Sequence, residues 1–173
     1  AGPAVANGPP DVADRQQTSQ GLAITPADRG YAVRAVPAVL APVIDGVLDD
    51  AIWQGDPQIT ELIQSQPDEG APATERSEIW VAFDAEALYV AARMYDSRPD
   101  QMVATVLRRD ESHSINDAFA ITLDTYHDHR NGFLFETNAL GAKYDAQIIG
   151  EGGASMGQGQ TFNEDWDAVW YAA

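Results

Sequence analysis

Few residues in this chain combine the types and spacing that chemistry requires. His127 and His129 flank Asp128. A His-x-His triplet on a strand would turn both imidazoles to one side, as at some metal sites. These residues fall in a loop spanning 125–131 with Tyr126, and no third ligand accompanies them, so a surface loop is expected. Carboxylates are plentiful, but no spacing singles out an acid and a base for glycoside hydrolysis. No G-x-S-x-G, phosphate loop or dinucleotide fingerprint is present. The chain has no Cys, which removes disulfides, zinc–thiolate sites and thiol catalysis. What remains is binding chemistry. Trp80 and Tyr89 stand beside small residues, and rings lying flat on a sheet are one way to hold a sugar. A neighbouring strand or tail covering them is the competing expectation.

The elements that must position these groups are mainly strands. Residues 116–149 read as three antiparallel strands in a row. Phe119, Ile121 and Leu123 alternate with Ala120 and Thr122, the period of a half-buried strand. Phe133 and Phe135 repeat the pattern after the turn dipeptide Asn131-Gly132. Tyr144, Ala146 and Ile148 repeat it after Gly141. Opposing Leu123 with Phe133 also opposes Ile121 with Phe135, so the large apolar residues meet on one face. Asp117 and Asp124 bracket the first of these strands.

A second hairpin pairs residues 74–83 with 88–95 through a turn at 84–87. Opposing Phe83 with Leu88 aligns Phe83, Val81 and Ile79 with Leu88, Val90 and Ala92. The other face pairs Glu78 with Arg93, Trp80 with Ala91 and Ala82 with Tyr89. The expected core is Ile79, Val81, Phe83, Leu88, Val90 and the apolar face of the meander. Trp53 is expected as a core plug on a short helical turn capped by Asp49 or Asp50. Weaker strand patterns lie at 31–36 and 58–63, and a short helix is expected within 99–109. Residues 151–163 are Gly-rich and read as flexible. DWDAVWY, 165–171, reads as the start of a last strand. About eight short strands suggest an antiparallel β-sandwich.

At 173 residues, one domain with a sizeable core is expected. Residues 1–30 are rich in Ala, Pro, Gly, Gln and Asp without periodicity and read as an extended or disordered tail. The β-sandwich domain is expected over 31–173. The net charge of -17 argues against nucleic acid and anionic lipid as partners. No window approaches the length of an apolar transmembrane span. The first residue is Ala, and AGPAVANGPP suits a mature N-terminus left by cleavage after small residues, so export is expected.

At IDGVLDDAIW, LYVAARMYDS and NDAFAITLDT the chain resembles carbohydrate-binding module family 9. It is most similar to the family-9-like domain found N-terminal in a large family of outer-membrane proteins of Gram-negative bacteria. The likeness runs through ATERSEIWVAFDAEALYVAARMYDS, LDTYHDHRNGFLFETNALGAKYDA and WDAVW, roughly residues 37–170. It implies a β-sandwich, an exported protein of the periplasm or outer membrane, and no catalysis by this domain. In family 9 calcium is structural, and Asp96, Asp117 and Asp124 match acidic positions of the pattern. Calcium is therefore the expected ion, bound by oxygens.

The sugar-clamping residues of family 9 are not matched. Three residues before the position of Asp117 those modules place a Trp, and here it is Ser114. Their polar contacts on the following strands fall at Ala120 and Glu136, changed in kind, and only Asn138 matches. The subgroup also continues past WDAVW, so a sandwich truncated at its C-terminal edge is expected. Residues 166–173 would then need covering by a partner or by missing strands.

Two functional expectations follow. The first is a non-catalytic recognition module for a glycan or protein partner in the cell envelope. Trp80, Tyr89, Tyr126, Asn138, Trp166 and Trp170 are its candidate contacts. The second is a structural or accessory subunit docked by protein–protein interaction on a larger membrane-anchored assembly.

Overall fold

Asp84 folds the chain back between the strands of the 74–95 hairpin. Its Oδ1 accepts hydrogen bonds from the N–H groups of Glu86 at 2.7 Å and Ala87 at 2.8 Å, and its own N–H donates to Ala87 O at 3.0 Å. The Glu86 N–H foremost, then the Tyr89 hydroxyl and the Ala87 N–H, hold its carboxyl below the ordinary range.

The computed structural model describes residues 33–111, 113–128, 130–150 and 160–173. Contacts divide the chain into Ala1–Arg34 and Ala35–Ala173, and the architecture given is that of the second unit. The expected tail at 1–30, Tyr31 and Ala32 of the strand expected at 31–36, His129 and residues 151–159 lie outside the described residues; of the rest of that strand only Val36 is paired.

The described fold is mainly β. Strands β1 (Val36–Pro37), β2 (Ser77–Phe83) and β3 (Leu88–Met94) form one sheet in that order. Strands β4 (Ala118–Leu123), β5 (Gly132–Asn138), β6 (Lys143–Gly150) and β7 (Gln160–Asn163) form a second, also in chain order. Two sheets with almost no helix are compatible with a β-sandwich. β1 joins β2 in parallel; every other pairing is antiparallel. Both expected registers are present. Phe83 opposes Leu88, Glu78 opposes Arg93, and Leu123 opposes Phe133. Gly132 opens β5 at a close approach: a Cβ there would lie 3.0 Å from Leu123 O.

Four expectations about elements require correction. Residues 58–63 supply only single bridges, Ile59 to Ile79 and Ile63 to Pro72, rather than a strand. The helix expected within 99–109 is one 3-10 turn, Pro99–Gln101. Gln160–Asn163, assigned to a flexible stretch, is β7. Residues 165–171 form no strand. Side chains of β6 reach two backbone groups of that segment instead of a ladder, Asp145 the Ala168 N–H and Lys143 the Trp170 carbonyl.

The hairpin buries the opposite face from the one expected. Trp80, Ala82 and Ala91 pack with Trp53 into a core flanked by Leu48, Ile52 and Tyr89. Ile79 is also buried, but Phe83 and Leu88 remain 44% and 47% exposed. Alternation separates the two faces without saying which is covered. Here the choice falls to Trp53, carried on the 3-10 turn Ala51–Trp53. Its indole needs the recess that Ala82 and Ala91 leave beside Trp80. The expected Glu78–Arg93 pair is present at 3.8 Å, and Glu78 also accepts from Arg76 and from the Tyr95 hydroxyl.

Candidate functional site

Strand pairing places Ala118, Glu136, Tyr144, Leu134 and Phe162 on one face of the second sheet. Glu136 opposes Tyr144, Leu134 opposes Ala146, and Ile148 opposes Phe162. Leu134, Ala146 and Ile148 are buried and form the apolar base. The turn before β4 borders this face. Asn116 N–H donates to His113 O at 2.7 Å, and Asn116 Oδ1 accepts from the N–H groups of Thr105 at 2.6 Å and Val106 at 3.2 Å. Sheet and turn together enclose a cleft of about 360 Å³ lined by both.

Its wall holds a buried histidine beside a carboxylate. The His113 side chain is fully buried, with Nδ1 3.0 Å from Glu136 Oε1. That separation is a hydrogen bond's, but the alignment is not, and neither ring nitrogen has a hydrogen-bond partner among the described residues. An unpaired buried polar atom is costly, so its retention asks for a reason. The Glu136 side chain keeps 22% of its surface open. The Tyr144 hydroxyl donates to Glu164 Oε1 at 2.9 Å. Burial first, then that bond, then the charges of Glu164, Glu136 and Asp110 push its pKa up to about 12.

The opposite face is covered by the C-terminal segment. Phe119, Ile121, Leu123, Phe133 and Phe135 are half-buried there, as the alternation predicts. Trp166 stacks on Phe133 with centroids 4.5 Å apart, and Trp170 meets Phe135 edge-on at 5.5 Å. Asp145, 0% exposed, anchors this C-terminal segment through Arg109 Nη2 at 2.6 Å and the Ala168 N–H at 2.7 Å. Lys143 Nζ donates to Trp170 O at 2.9 Å. Arg109 also holds Asp167 and the Ala168 carbonyl. Gly46, at φ +79°, lies so near that a Cβ would come within 3.3 Å of Ala173.

The residues singled out in the sequence do not converge. Trp80 is buried, donating Nε1–H to Gly55 O at 2.8 Å, so its ring is not a flat exposed platform. Tyr89 packs on the same core and donates its hydroxyl to Asp84. Tyr126 is 68% exposed, in the loop after β4. Asn138 is buried; its amide donates to Val106 O and its Oδ1 accepts from Leu140 and Ala142. Trp166 and Trp170 are spent on covering the sheet. Asp96, Asp117 and Asp124 each accept a backbone N–H, from Arg98, Val103 and Asp128 respectively. Among the described residues no three His, Asp or Glu side chains come together to hold a metal. Also among them, no helix is long and apolar enough to cross a membrane.

His113 and Tyr144 were not singled out as site residues, and Glu136 entered only as a changed position. The available signal was Glu136 itself, a charge following an apolar run on a strand, opposite Tyr144. Compared with protein-family models, with curated proteins and with solved structures, the chain shows no match.

Proposed function

We propose that this chain is a non-catalytic recognition module of the cell envelope, acting outside the cytoplasm, and that the cleft over β5 and β6 is its binding surface. The observation that carries the reading is Glu136, partly open in a cleft beside a buried His113 whose nitrogens are unpaired. A recess in which apolar walls, here Ala118, Leu134 and Phe162, meet convergent polar groups is suited to a small polar ligand. Ser114 and Glu136 line this cleft, and both occupy positions where the family-9 resemblance expects sugar contacts. Because the residues there are changed in kind, the ligand is a saccharide held differently from that family's. Affinity electrophoresis through gels containing soluble envelope polysaccharides tests this. Retardation that Glu136→Ala abolishes is expected; unchanged mobility in every gel overturns the reading.

A second reading has its own observation. Phe83 and Leu88 are register partners, and both are half-exposed on the first sheet. Such a pair favours an accessory subunit that docks on a larger membrane-anchored assembly. Light scattering of the isolated chain, alone and with solubilised envelope proteins, separates this reading from the first.

A further inference from the structure

The charges of the second sheet are segregated between its faces. Arg109 and Lys143 are committed opposite the cleft, to Asp145 with Asp167 and to Trp170. No Lys or Arg is among the residues lining the cleft. On the cleft face stand Glu136, open to it, and Glu164, tied to the Tyr144 hydroxyl. The pKa of Tyr144 is raised by burial first, and then by Glu164 and the neighbouring carboxylates. The aromatic rings of Tyr144 and Phe162 provide walls. A carboxylate in a cleft lined by aromatic side chains is a setting in which an organic ammonium is held, by a charge-assisted hydrogen bond and by attraction to the rings. An anionic ligand would meet uncompensated like charge.

Resting on the recognition reading, we infer that the cleft takes a ligand bearing a protonated amine, an amino sugar in the free-amine form, with Glu136 as the group that receives the ammonium. His113 is a positioning residue. Its buried ring lines the cleft with Nδ1 3.0 Å from Glu136 Oε1, so it packs against the carboxylate that receives the ligand.

The experiment is calorimetric titration of the full chain at neutral pH with glucosamine, glucose and N-acetylglucosamine. These probes share a ring and differ in the charge at one carbon. Glucosamine should bind at least about tenfold more tightly than either neutral sugar, as a charged hydrogen bond requires. Glu136→Gln should remove that preference while melting at the wild-type temperature. Should the variant fail to fold, the wild type carries the test alone, since added salt must weaken glucosamine binding and leave neutral sugars unaffected. Equal binding of all three sugars, unaltered by Glu136→Gln or by salt, overturns the amine inference and leaves the recognition reading standing. Binding of none also overturns it, and the polysaccharide gels then decide the recognition reading separately.

Discussion

The indole Nε1–H of Trp170 donates to Asp145 Oδ1 across 3.1 Å, joining the C-terminal segment to the middle of β6. The same carboxylate receives Arg109 and the Ala168 N–H, so one fully buried group satisfies donors from three places in the chain. Burying a carboxylate is tolerable only with such pairing. Asp145→Ala removes the acceptor of the Trp170 and Ala168 N–H groups, while Arg109 keeps Asp110, Asp167 and the Ala168 carbonyl, and should cost about 1–3 kcal/mol, the range for leaving a buried donor unsatisfied. Urea unfolding followed by tryptophan fluorescence measures it. A midpoint equal to wild type would show that the segment is held by ring stacking alone.

The two faces of the first hairpin should respond unequally. Trp80→Ala empties the core around Trp53 and should cost about 3–5 kcal/mol. Phe83→Ser, on the half-exposed face, should cost no more than about 1 kcal/mol. Thermal unfolding of both variants checks the contrast, and a reversed order would place the core on the other face.

Tyr144 sets an alkaline limit. Its folded pKa is about 12 against an ordinary 10.0, so folding favours the protonated phenol. The contribution is complete below pH 10 and is lost as pH rises through about 12. Wild type should therefore lose stability faster across that window than Tyr144→Phe, which lacks the contribution throughout. Chemical denaturation at stepped alkaline pH tests this, and parallel curves would contradict it.

Much of the fold was legible in the sequence, because strand period and turn chemistry are local. Asn131-Gly132 and the Asp84 turn fix which residues oppose each other, and both registers follow. Which face is buried was not legible at β2 and β3, since it depends on Trp53 arriving from a distant segment. DWDAVWY alternates like a strand, yet it is anchored through its Ala168 N–H and Trp170 indole to Asp145, a partner no local pattern reveals. The cleft was hidden for a related reason. It forms where the turn at His113 borders strands that begin later in the chain, and its residues share no sequence period.

The most direct test is to titrate the isotope-labelled chain with a soluble amino-sugar oligosaccharide and map the amide shifts. The predicted shifts cluster at Ser114, Asn116, Glu136, Tyr144 and Phe162. Shifts centred instead on Tyr89, Tyr126 or Trp166, or none at saturating ligand, would contradict the assignment of this cleft as the recognition site.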